Sequence, residues 1–224
     1  MRTIKFIALA AAAAAALVAC ESKPYIYNSA TLEYAGRYVM YELDGDGEDL
    51  TGYLEGEELR IYNSAADVAT EIWLDDPNHF FPFKAKLSIS GAPSGFASTA
   101  PGFSVTAVEN FYPGTVTSAG MRDTVRAKKG STDYPVEVAI VNAQIVKDGA
   151  KSIGGNTADA LNMELKLTYG YIVYESVVKA RNLWADSTVA EYGWEFRNVI
   201  SDPKTAETYK IKAYRYTGMP EDKW

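Results

Sequence analysis

The stretch that decides the fold is NMELKLTYGYIVYESVV, Asn162 to Val178. In its first half Met163, Leu165, Leu167 and Tyr169 alternate with Glu164, Lys166 and Thr168. A period of two sends successive side chains to opposite faces, so this is a strand with one apolar and one wet face. The pattern recurs elsewhere. FKAKLSI (Phe83 to Ile89) sets Phe83, Ala85, Leu87 and Ile89 against Lys84, Lys86 and Ser88. TYKIKAYRY (Thr208 to Tyr216) sets Tyr209, Ile211 and Ala213 against Lys210 and Lys212. Further strands read at Arg37 to Leu43, Glu58 to Tyr62, Ala69 to Leu74 and Glu137 to Val146. Helical signal is weak, and Ser176 to Trp184 reads either as a short helix or as more strand.

Loops rich in Gly, Pro and Ser separate these runs at Gly91 to Gly102, Gly130 to Pro135 and Asp148 to Asp159. No loop is long or biased enough to link two domains, and no fixed-period repeat is visible. The expectation is all-β: one antiparallel β-barrel of about eight to ten strands over residues 31–224, lipocalin-like, with a β-sandwich as the alternative. Strands of about nine residues favour the barrel. So do inward sets that mix aromatics with small residues, since a taper or cavity requires that mixture. A barrel of about eight strands has room for one small ligand, and that is the expected pocket.

The N-terminus carries a second signal. Arg2 and Lys5 precede Phe6 to Ala19, an unbroken apolar run of 14 residues. A charged start followed by a short apolar run is the layout of a secretory signal, and the run is too short to span a bilayer. Leu17-Val18-Ala19-Cys20 at its end resembles the bacterial lipobox. The resemblance implies that residues 1–19 are a lipoprotein signal peptide and that Cys20 is acylated. Residues 20–30 are then the lipidated terminus and tether, and the protein is an outer membrane lipoprotein of the cell envelope. With its one cysteine used there, the chain has no thiol for a disulfide, a metal site or a nucleophile. Loss of Arg2 and Lys5 takes the net charge from −7 to −9, a balance that argues against nucleic acid as a partner.

IYNSAADVATEIWLDD (Ile61 to Asp76), EYGWEF (Glu191 to Phe196) and YKIKAYRYTGMPEDKW (Tyr209 to Trp224) resemble segments of the lipid-binding putative hydrolases. These are small lipoproteins of Gram-negative anaerobes. The resemblance spans about Tyr34 to Trp224 and implies a lipocalin-like β-structure with a lipid partner.

The hydrolase half of that description finds little support in the residues. A nucleophile elbow needs G-x-S-x-G, and Gly91-Ala92-Pro93-Ser94-Gly95 has the wrong spacing. A serine triad needs a histidine, and the chain has one, His79, with Asp75 and Asp76 just upstream. These three are weak catalytic candidates. LDGDGEDL (Leu43 to Leu50) lacks the spacing of a calcium loop, so no metal and no cofactor are expected. The aromatics are the better clue. Tyr169, Tyr171, Tyr174, Trp184, Tyr192, Trp194 and Phe196 crowd the later strands, with Arg197 beside them. Tyrosine and tryptophan suit a ligand wall because their rings pack while their polar atoms find partners. The expected function is therefore membrane-anchored binding of a lipid or other apolar small molecule. The alternatives are a structural or glycan-handling surface module and, less favoured, a lipid ester hydrolase.

Overall fold

The computed structural model describes residues 28–92, 94–105, 111–181 and 190–222. Residues 1–19, read from the sequence as a signal peptide, Cys20 and Trp184 lie outside the described residues. Eight strands close an antiparallel barrel: β1 (Gly36–Gly45), β3 (Glu58–Asn63), β4 (Glu71–Asp75), β5 (Lys84–Ala92), β6 (Gly95–Ser98), β11 (Pro135–Lys151), β12 (Thr157–Arg181) and β14 (Glu207–Arg215). Their order around the wall is β12-β14-β1-β3-β4-β5-β6-β11, and β11 pairs with β12 to close it. Short strands β2 (Glu48–Asp49) and β7 (Gly102–Phe103) join the wall at its margin.

The segment that announced the fold does more than expected. β12 runs for 25 residues. Its first half, Thr157 to Tyr169, lies between β11 and β14 in the barrel wall. Its second half, Gly170 to Arg181, leaves the barrel and pairs with β8 (Arg122–Arg126) on one side and β13 (Ala190–Ser201) on the other. The Ser176 to Trp184 ambiguity thus resolves as strand through Arg181. A two-stranded ribbon, β9 (Lys128–Lys129) with β10 (Thr132–Asp133), follows β8. The molecule is a barrel with a three-stranded annex on one end.

The change of environment shows in the burial of β12. Leu161, Met163, Leu165 and Leu167 are buried in the barrel; beyond Gly170 the buried positions are Ile172, Tyr174 and Ser176. The buried face switches parity where the strand exits. Gly170 sits at that switch because a Cβ there would lie 2.1 Å from the Ile200 carbonyl oxygen. Only glycine lets β13 approach that closely.

Inside the barrel the inward side chains meet one another. Tyr38, Met40, Leu43, Leu59, Ile61, Ile72, Leu74, Phe83 and Leu87 are all 0–1% exposed and belong to one contiguous cluster with the inward residues of β11, β12 and β14. The small residues do not open a cavity. Ala143 stands opposite Met163 and Phe96, Ala213 opposite Met40 and Leu161, and Ala85 opposite Leu74. Small faces large across the wall, which is how an eight-stranded barrel fills itself. Both ends are closed by rings. At the end where β1 begins, Tyr34 stacks on Phe96 at 5.4 Å. At the annex end Phe81 packs on Tyr209 at 4.7 Å and on Phe80 at 4.8 Å. The interior pocket expected from the alternation is therefore occupied by protein in the described residues. Burying a residue of this size contributes about 1.5–3 kcal/mol, and the chain has no disulfide to share that role.

Candidate functional site

A second apolar cluster lies outside the barrel, on one face of the annex. Its buried centre is Phe111, Ala127, Val136, Ile172 and Tyr174, with Val125, Tyr134, Trp194, Phe196 and Val199 packed around it. Register explains why these side chains meet. Ile172 pairs with Val199 and Val125, Tyr174 with Phe196, and Ser176 with Trp194, so the even positions of β12 line up with one face of β13. Loop residues then cover the face. Phe103 of β7 stacks on Phe196 at 4.4 Å, Phe111 meets Tyr134 edge-on at 4.9 Å, and Tyr112 lies 5.6 Å from Tyr174.

Three hydrogen bonds fix the covering loop. Trp194 Nε1 donates to the Gly114 carbonyl at 2.7 Å. Ser176, 2% exposed, donates to the Ser118 carbonyl at 2.7 Å and accepts the Met121 N–H at 2.8 Å. Ser176 is thus a loop anchor, which explains a hydroxyl on an otherwise apolar face. Burial pushes the Tyr174 phenol up to about 12, with Tyr112 adding to the effect, so it stays neutral.

The outer members of the cluster remain open to solvent. Tyr112 is 58% exposed, and Trp194, Phe196 and Phe103 are half-buried. The result is a shelf of ring faces with an indole and phenols at its edge. It can hold an alkyl chain or another flat apolar surface by area and dispersion.

The aromatics read from the sequence divide among three places. Tyr174, Trp194 and Phe196 join this shelf, and Tyr192, half-buried, stands opposite Val178 two residues from Trp194. Tyr171 and Arg197 do not. Tyr171 is 40% exposed on the other face, and Arg197 pairs with Glu175 at 3.1 Å and Glu195 at 3.8 Å. Tyr169 sits at the annex end of the barrel, where its hydroxyl and that of Tyr209 both donate to Glu207 Oε2 at 2.8 Å. Burial, and then Glu207, hold both phenols above their ordinary range. The sequence reading missed Phe103, Phe111, Tyr112 and Tyr134. Their signal was an aromatic beside Gly or Pro in GF, NFYPG and DYP, inside what reads as loop.

The weak catalytic candidates are placed as follows. Asp76, 0% exposed, accepts the N–H groups of Asn78 at 3.1 Å, His79 at 3.0 Å and Phe81. Burial lifts its carboxyl to about 7 against the pull of those donors. It organises the loop that carries Phe80 and Phe81 into the end of the barrel. His79 meets Asp76 through its backbone, and it is an exposed residue at φ +62°. Asp75 Oδ2 accepts from the Tyr62 hydroxyl at 3.3 Å.

A family model described as lipid-binding putative hydrolase matches residues 23–220. No curated protein matches the chain.

Proposed function

Since the chain belongs to the lipid-binding putative hydrolase family, we propose that it binds a lipid or other apolar small molecule on the annex shelf while Cys20 holds it to a membrane. One observation carries the location. Rings from separate segments converge on a face that stays partly open, whereas the barrel interior is filled. A ligand binding the interior would have to displace a core of nearly unexposed side chains; the shelf asks for no such displacement.

The anchor fits the geometry. Asn28, two residues before Ala30, whose N–H donates to Asp67 Oδ1 at 3.0 Å, lies near the end of the barrel where β1 begins and opposite the annex. Seven residues separate it from Cys20, a reach of roughly 25 Å at most. One acyl chain holds a protein only marginally, so stable attachment requires more than one on Cys20. The protein then works in the cell envelope as an outer membrane lipoprotein, with its barrel end towards the bilayer and its shelf away from it.

The test is a melting curve of the mature protein with and without dodecanol, an alkyl chain with no anionic head. A ligand that binds only the folded state at one hundred times its Kd stabilises by about 2.7 kcal/mol. For a chain of this size that raises Tm by roughly 5–10 °C. Trp194→Ala with Phe196→Ala should abolish the shift. No shift with any chain length, and no lipid co-purifying by native mass spectrometry, would reject the reading. A second reading has one observation behind it: the exposed Tyr112 and half-buried Trp194 rings could equally stack on a sugar. Retention on polysaccharide without any lipid shift would select that glycan-handling role.

A further inference from the structure

We propose that the outer wall of β1 and β3 carries a separate site for an amphiphile with an anionic head, gripped by Arg37 and Arg60. This site is independent of the annex shelf. Its first mark is a conflict in the sheet. Arg37 and Arg60 are direct cross-strand partners. Like charges directly opposite destabilise a sheet, and a local conflict of that kind is where function is expected.

The compensation is incomplete. Glu58 lies between the two arginines and its side chain is only 8% exposed. Oε2 accepts from Arg37 Nε at 3.0 Å and Nη2 at 2.6 Å; Oε1 accepts from Arg60 Nε at 2.9 Å and Nη2 at 2.7 Å. Each guanidinium thus meets the carboxylate along one edge, and Nη1 of each takes no part in the pair. Two cations share one anion, so the trio keeps one positive charge on a chain of net charge −7. Burial pushes the Glu58 carboxyl up, but the arginines outweigh it and hold it below its ordinary range. It remains ionised and fixes both guanidiniums. Arg37 is further steadied over the Tyr216 ring at 4.8 Å. Along the row, Asp75 stands opposite Arg60 and Lys84 opposite Asp75, and that pair leaves the excess charge unchanged.

Two open surface depressions adjoin the trio. A depression of about 280 Å³ is lined by Arg37, Glu58, Arg60, Asn78 and Tyr216 among others. A second, of about 350 Å³, is lined by Ala35, Gly36, Ile61 and Tyr62 and by the same two arginines. One is polar and one apolar, and Arg37 and Arg60 are common to both. An anionic head on the guanidiniums would leave its tail over Gly36 and Tyr62. Planar guanidinium forks suit a carboxylate or a phosphate.

Calorimetric titration of the mature protein carrying Trp194→Ala and Phe196→Ala, which removes the shelf, tests this, with decyl phosphate, decanol and inorganic phosphate each kept below any micelle concentration. Decyl phosphate should bind at least tenfold more tightly than either decanol or inorganic phosphate. Arg60→Gln and Arg37→Gln should each weaken it at least tenfold, and Arg60→Lys less. Glu58→Gln removes the compensating charge and should tighten decyl phosphate binding in whatever fraction is folded, which a merely structural trio would not do. Decanol binding as well as decyl phosphate would refute the anionic head. Inorganic phosphate binding as well would refute the apolar half. Decyl phosphate bound by the unsubstituted protein but not by the Trp194→Ala, Phe196→Ala protein would place the anion on the shelf and overturn the proposal.

Discussion

Leu165→Ala is the substitution that most sharply separates a filled barrel from a hollow one. Leu165 is 0% exposed at the middle of the barrel half of β12, opposite Ile140 on one side and Tyr209 on the other. In a filled interior its removal loses both the transfer energy of the deleted atoms and the contacts around the void. Together these cost about 3 kcal/mol for a well-buried leucine. At roughly 2–3 kcal/mol per molar of urea, the midpoint should fall by roughly 1–1.5 M with no change in slope. The melting temperature should fall by roughly 6–12 °C. Dodecanol affinity should stay within about twofold when measured on folded protein, because the shelf does not touch this residue. Leu32→Ala, at a half-exposed position, is the control and should move stability by less than about 0.5 kcal/mol. A loss under about 1 kcal/mol for Leu165→Ala, joined to a changed dodecanol affinity, would refute the reasoning and restore the interior as the ligand site.

Other substitutions probe other parts. The Asp76 carboxyl is raised in the folded protein to about 7, so its contribution is full below the unfolded carboxylate range and is lost as pH rises through 7. Urea midpoints should therefore decline between pH 5 and pH 8, and Asp76→Ala should flatten that decline while lowering stability throughout. Asp222 behaves in the opposite sense. Burial raises it, but donors from Ser152, Thr217, Asn156 and the Gly154 N–H outweigh burial and hold it below its ordinary value. Its contribution is present at neutral pH and lost only in acid, and Asp222→Ala should speed hydrogen exchange in residues 152–156 and 217–222 at pH 7. Gly170→Ala should displace β13 and abolish the dodecanol shift, because its Cβ would meet the Ile200 carbonyl; an unchanged shift would contradict the close packing assigned there. His79→Ala should leave ester turnover, if any is detected on an ester panel, as it was; its loss would revive the hydrolase reading.

The barrel was legible because Met163, Leu165 and Leu167, then Tyr209 and Ile211, keep a strict period of two, and that period has one structural meaning. The annex was not, because β12 continues as unbroken strand while its partners change. The parity switch from Leu167 to Ile172 is written in the sequence, but its meaning depends on β8 and β13, which alternation cannot assign. The interior was misjudged for a related reason. Ala85, Ala143 and Ala213 read as space until register sets each against a large residue. Of the seven rings that meet on the annex, three, Tyr174, Trp194 and Phe196, were legible as aromatics of the later strands. Phe103, Phe111, Tyr112 and Tyr134 come from loops, where sequence carries no information about which face they will cover.

Photolabelling with a diazirine-bearing fatty alcohol, followed by peptide mass spectrometry, asks most directly where an apolar guest sits. Adducts confined to residues around Tyr112, Trp194 and Phe196 are the predicted result. Adducts on Leu87, Leu165 or Ile211 would mean that the barrel opens to its ligand, and would contradict a filled interior with its guest held on the annex.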